Sequence, residues 1–363
     1  MDETATMTAS TQRRKWFPYR APSYGVIQHE GLRHGAVAAL VGAGLCLLSG
    51  CGNGINSVAL PATPSVPVSA VSNGPQLGYV WDAVDSSLRP LLGVPGAAQM
   101  GQPVTVAGTY VLGAASVRSS VAVLESASGA LSVMSVPQGS PMAIAGATLK
   151  GATQISFSPS GLNAVVYSAG AGTALLLSGL DGTPQVQPLS APAGMAALAV
   201  SDGGAVAAVY GSGPLTVALL NGSHTVLTSL SGYGGMAFLP GGSDLLLADR
   251  ATGVVTVVRN TAAAPAAQSF TAATIKSPMA VAGSADGLWA VVANSADTSV
   301  VRLDLTGATT PLRIACSCQP TQLNALSGNA VFSLTTPGTA TSWVVDASAA
   351  TPRTVFIPAM VQP

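Results

Sequence analysis

Residues 154–189 read QISFSPSGLNAVVYSAGAGTALLLSGLDGTPQVQPL. Short apolar runs alternate here with clusters of Ser, Pro, Gly, Asp and Thr. Each run is of strand length, since strands take 4–8 residues and helices usually ten or more. Glycine in the clusters supplies positive φ at no steric cost, and Asp or Ser closes a local hydrogen bond. The segment therefore reads as four antiparallel strands joined by tight turns.

The second run, NAVVYSA (163–169), has counterparts along the chain. LGYVWDA (77–83), SVAVLES (120–126), AVAAVYGS (205–212), DLLLADR (244–250), LWAVVANS (288–295) and NAVFSLT (329–335) look alike. The residue after each apolar core falls at Asp82, Glu125, Ser168, Gly211, Asp249, Asn294 and Thr335, at intervals of 43, 43, 43, 38, 45 and 41. A period in the low forties marks a propeller blade of four strands. Seven repeats imply an all-β, seven-bladed β-propeller spanning residues 66–363. Strands such as AALAV (196–200) and MAVAG (279–283) are small enough to crowd round a central axis and are expected innermost. Blade one takes its inner strand from VPVSAVS (66–72), and RTVFIPA (353–359) is the outer strand of the last blade.

The pattern resembles bacterial YVTN-type propellers, relatives of the WD-repeat group. Val291-Val292-Ala293-Asn294 stands where that family has Tyr-Val-Thr-Asn, and the resemblance covers roughly residues 75–360 as architecture. It implies a fold and almost nothing about function, because propellers host unrelated activities. An outer-membrane barrel also has alternating strands, but barrels want aromatic girdles, and aromatics are 5% of this chain.

Upstream, GAVAALVGAGLCLL (35–48) is apolar and uncharged, shorter than the span of about 20 residues a membrane helix needs. With Arg33 before it and small residues after it, the run fits the core of an export signal covering residues 1–50. Cys46 is read as a packing residue inside it. Leu48-Ser49-Gly50-Cys51 resembles the lipobox of bacterial lipoproteins. That resemblance implies a diacylglyceryl thioether on Cys51, cleavage before it, and acylation of the new terminus. Gly52 is not the aspartate associated with inner-membrane retention, which points to the outer membrane. Arg13-Arg14-Lys15-Trp16-Phe17 looks like a twin-arginine signal, yet it lies about twenty residues before the apolar run. A start at Val26 through an alternative codon is the simpler expectation for so long a leader. Residues 51–65, rich in Gly, Pro and Ser, read as a flexible linker.

Charged residues make up 8% of the chain, against about 25% in typical domains. Beyond residue 50 there are nine basic and eleven acidic side chains, which gives no field to draw nucleic acid. A monomer is expected. Only Cys316 and Cys318 follow Cys51, and an oxidising compartment favours a disulfide between them over two free thiols. His224 is the one histidine after residue 50. No metal site or cofactor is expected, and neither a GxSxG elbow nor a phosphate loop is present. Ser284-Ala285-Asp286-Gly287-Leu288-Trp289 reads as an ordinary turn before a core tryptophan.

The remaining constellation is the set of aligned strand ends. Trp81, Asp82, Glu125, Tyr167, Tyr210, Asp249, Arg250 and Asn294 are expected to gather near one face, where rings and carboxylates would bind a protein, peptide or glycan. Two plainer readings compete: the acids favour turns and solvent, and Trp81, Tyr167 and Tyr210 pack between blades. Paired carboxylates at that face would instead support a hydrolase or lactonase.

Overall fold

The computed structural model describes residues 74–221, 224–336 and 341–358. Every helical or strand element among them is a β-strand, and the strands form seven antiparallel sheets in chain order. Six sheets have four strands, and the first has three among the described residues. The innermost strands are Gln76–Asp82, Tyr110–Ser116, Gln154–Phe157, Met195–Val200, Tyr233–Phe238, Pro278–Gly283 and Asn324–Ala325. Together they line one central channel. The export signal of residues 1–50, Cys51, the linker of 51–65 and the strand expected at 66–72 lie outside the described residues. Arg353–Ile357 is the outermost strand of the last blade, as expected.

Asn163–Ser168 shows why the strands lack polar alternation. Successive side chains point to opposite sides of a sheet, and here both sides are covered. Ala164 and Val166 pack with Val121 and Val133 of blade two. Val165 and Tyr167 pack with Leu198 and Ala208 of blade four. All six residues are buried. Each fully buried aliphatic side chain of this kind contributes about 1.5–3 kcal/mol.

The innermost strands all run the same way, so the ring has two faces. On the entry face the innermost strands begin and the second strands end. On the hairpin face lie the turns joining first to second strands. These turns are tied to one another one blade apart. Ser119 Oγ donates to the Gly161 carbonyl at 3.0 Å. Asp202 accepts from the Ser160 amide at 2.7 Å and the Gly241 amide at 3.0 Å. Asn329 Nδ2 donates to Asp286 at 2.7 Å, and the Asp286 amide donates back to Asn329 Oδ1 at 3.0 Å. The partners lie 42, 42, 39 and 43 residues apart, so the sequence period reappears as contact spacing.

One strand assignment is corrected. Residues 77–82 do not form a second strand. Gln76–Asp82 is the innermost strand of blade one, and its partner Ser87–Val94 is the second. The innermost strands begin at 76, 110, 154, 195, 233, 278 and 324, so the first repeat spans 34 residues where the others span 38 to 46. An apolar run ending in an acid suits either position, and Tyr79 and Trp81 are large for an inner strand. Arg89 and Pro90 disguise the true second strand.

Inner strands five and six approach closely at Gly235, which has φ +129; a Cβ there would lie 2.6 Å from the Val281 amide nitrogen. Gly235→Ala should therefore destabilise the protein by about 2 kcal/mol or more, through strain and overpacking. A melting temperature equal to wild type would contradict this packing. A second prediction concerns Asp202. Burial would raise its carboxyl, but the Gly241 and Ser160 amides and the Ser160 and Ser158 hydroxyls hold it below the usual value. A depressed folded pKa gives stability that is present above the unfolded value of about 3.9 and lost as pH falls through the folded one. Asp202→Asn should melt lower than wild type at pH 7, and the gap should narrow at pH 3. A gap that widens on acidification would refute the linkage.

Candidate functional site

The second strands bring Glu125, Asp249 and Asn294 to the entry face, but as clips rather than as a free surface. Glu125, 1% exposed, accepts from the Gly151 amide at 2.7 Å and from the Ala152 amide through both oxygens. That holds the crossover from blade two to blade three. Asp249 accepts from the Ser231 amide at 2.7 Å and the Ala251 amide at 2.9 Å. Asn294, fully buried, accepts from the Lys276 amide at 3.0 Å and donates to the Thr274 carbonyl and Ser299 Oγ. The strand-end position recurs because every blade must anchor a crossover there.

Asp82 is at the other end. It closes the innermost strand of blade one on the hairpin face, where Arg89 Nε donates to it at 2.8 Å. Arg89 also pairs with Asp85. The expectation that Asp82 joins Glu125, Asp249 and Asn294 on one face is thus corrected, and the cause is the strand assignment above. Arg250 is exposed on the entry face, 3.4 Å from Ser277 Oγ. Nearby, burial works against the Asp297 carboxyl, while Ser299, Arg313 and Lys276 hold it low. Its pairs with Arg313 and Lys276 span 3.1 and 4.0 Å and are worth little at so exposed a site.

The aromatic residues also separate. Tyr167 is buried between blades three and four, with its hydroxyl donating to the Met195 carbonyl at 2.9 Å, and Tyr210 packs against the same cluster. Trp81 packs between blades one and two, against the cluster of Leu88, Ala122, Leu124 and Met134, and also contributes to the central channel; an added Cβ on Gly113 would come 2.6 Å from its ring. Cys316 and Cys318 are joined by a disulfide and sit in the core between blades six and seven.

The channel is the concave feature the strand-end comparison missed. It encloses about 600 Å³, within the range of about 300–1,000 Å³ typical of ligand sites. Tyr79, Trp81, Phe157, Tyr233, Met236 and Met279 are among its lining. Among the described residues no carboxylate, imidazole or thiol lines it. Arg118, at the hairpin end, is the one charged side chain of the wall among the described residues and donates to the Gly328 carbonyl at 3.2 Å. Burial alone pushes the Tyr233 phenol up to about 12. Burial likewise raises Tyr79, partly offset by the Gln76 side chain. Gln154 is committed to the wall, with Nε2 donating to the Leu198 carbonyl at 2.8 Å. No group of three or more metal-ligating side chains occurs among the described residues. The sequence signal for this site was the large residues of GYVW (78–81), out of place once that run is recognised as an inner strand.

No family model and no curated protein matches the sequence. Among solved structures the fold is similar to a functionally unknown protein from Desulfotomaculum acetoxidans, at TM-score 0.55 and 12% identity over 79% of this chain and 100% of that one. It is also similar to apo AztD from Citrobacter koseri, at TM-score 0.51 and 14% identity over 78% and 81% of the two chains. Streptogramin B lyase gives TM-score 0.50 and 15% identity over 76% and 87%. Identities this low show shared architecture alone.

If Glu125 is a clip, Glu125→Ala should cost about 2–3 kcal/mol, since it leaves two amides without their charged acceptor. Arg250→Ala should stay within about 0.5 kcal/mol of wild type. Equal stability of the two variants in denaturant titrations would contradict the assignment.

Proposed function

We propose that the protein is an exported, lipid-anchored binding module of the cell envelope. Cys51 carries the lipid, residues 51–65 form the tether, and the propeller receives a protein, peptide or glycan. Two acyl chains or more give stable anchoring where one gives only marginal binding. One observation favours binding over catalysis. Glu125 and Asp249 at the entry face are spent on backbone amides, and among the described residues the channel wall offers no carboxylate, imidazole or thiol for acid–base or nucleophilic work.

The lipobox reading places the anchor before the propeller. The YVTN-type resemblance suits such a module, and Gly52 suits an outer-membrane destination.

Intact-mass measurement of the membrane-extracted protein should show an acylated Cys51 as the first residue, and Cys51→Ala should leave the chain uncleaved. Unchanged processing and membrane partitioning of the variant would refute the anchor. The detergent-extracted protein should turn over neither glycoside nor lactone substrates while retaining a ligand. Turnover that survives purification would refute the binding reading.

A further inference from the structure

We propose that the Cys316–Cys318 disulfide is a redox-sensitive clasp on the crossover from blade six to blade seven, opened by a dithiol reductant and closed again by oxidation.

The bond is ill suited to be a staple. Ser317 alone separates its two residues, and the stabilisation a disulfide draws from chain entropy grows with the loop it closes. So small a loop sits at the bottom of that scale. What the bond does fix is the path of the crossover. Its Cα atoms are held 5.1 Å apart, against roughly 7 Å for two steps of extended chain. The backbone therefore bends at Ser317, which is exposed, while both cysteines are buried. Their sulfurs belong to an apolar cluster with Val300, Ala330, Leu334 and Ala347, each 0% exposed.

Opening the bond needs room. Bonded sulfurs sit about 2 Å apart, and unbonded heavy atoms keep roughly 3.5 Å or more. The neighbours in the cluster are fully buried, and close-packed interiors yield little. The displacement has to go outward, on the side where Ser317 and Gln319 face solvent. Outward motion strains a short series of hydrogen bonds. The Cys316 amide donates to the Thr298 carbonyl at 3.0 Å, and the Thr321 and Gln322 amides share the Leu334 carbonyl at 2.8 and 3.2 Å. Gln319 Nε2 donates to the Ser295 carbonyl at 2.9 Å. Downstream, Thr321, Gln322 and Leu323 line the channel and lead into Asn324–Ala325, an inner strand of two residues. The covalent state of the cysteine pair is thereby coupled to the channel wall at blade seven.

Reduction takes two electrons and two protons. A thiolate of the reductant attacks Sγ of Cys318, the more exposed of the pair at 9%, and the Cys316 thiolate leaves. The second thiol of the reductant then attacks the mixed disulfide, which releases Cys318 and closes the reductant's own disulfide. Both cysteine thiolates take up protons.

The test equilibrates the full-length, detergent-extracted protein in graded mixtures of reduced and oxidised dithiothreitol and then alkylates it. Tryptic cleavage after Arg313 and Arg353 yields one peptide whose only cysteines are this pair. Labelling of that peptide should reach completion while the far-ultraviolet circular dichroism stays that of the folded protein. In the reduced protein the Cys316, Thr321 and Gln322 amides should exchange hydrogen about tenfold faster or more, with Trp289–Asn294 unchanged. The double variant Cys316→Ser, Cys318→Ser should exchange fast there without reductant and ignore dithiothreitol. Labelling that appears only together with unfolding would make the bond a staple, and unchanged exchange after full reduction would make it silent. Either result overturns the proposal, as would a double variant that exchanges as slowly as the oxidised protein.

Discussion

A propeller is stable only if its last blade packs against its first, and here that closure is made without a shared strand among the described residues. Leu77, Val80, Leu91 and Met100 of blade one form a single apolar cluster with Leu326, Val331, Val344 and Ile357 of blade seven. The Ser327 amide donates to the Leu77 carbonyl at 2.6 Å across the same seam. Around the rest of the ring every blade is covered on both sides by its neighbours. At the seam, a sheet with three strands among the described residues supplies half of the cover. Arg118, reaching from blade two to the Gly328 carbonyl of blade seven, spans blade one on the hairpin face.

The seam decides what the site is made of. Within Gln76–Asp82, Leu77 and Val80 pack toward blade seven, while Tyr79 and Trp81 pack toward blade two and also contribute to the channel wall. The channel acquires its aromatic wall from the same segment that joins first blade to last. The polar residues, in contrast, are consumed by the architecture. Glu125, Asp249 and Asn294 hold crossovers, while Asp202 and Asp286 hold hairpins. A chain with so few charges has placed most of its carboxylates where they satisfy backbone amides. What remains in the channel is aromatic, thioether and hydroxyl chemistry.

Much of the fold was legible in the sequence, because turn chemistry and blade period are local signals. QISFSPSG and its successors fall into strands where the Gly and Ser clusters divide them, and the second strands of blades two to seven align as read. Blade one was misread for a physical reason. Its inner strand is bulky and ends in an acid, and its second strand carries Arg89 and Pro90, so the 43-residue interval from Asp82 to Glu125 compares unlike strands. The site was less legible. Position in a repeat says which end of a strand a side chain occupies, not whether a backbone amide waits there to bind it. Tyr167 and Glu125 could be told from surface residues only once the neighbouring blade was in place.

The most direct test of this account is hydrogen exchange of the full-length protein, followed at the amides of the strand Gln76–Asp82. If that strand closes the ring, its paired amides and the Ser327 amide should exchange as slowly as those of the central strands Val206–Tyr210 and Trp289–Asn294, through global unfolding alone. Exchange orders of magnitude faster in Gln76–Asp82 than in those strands would contradict the closure, and with it the channel built upon it.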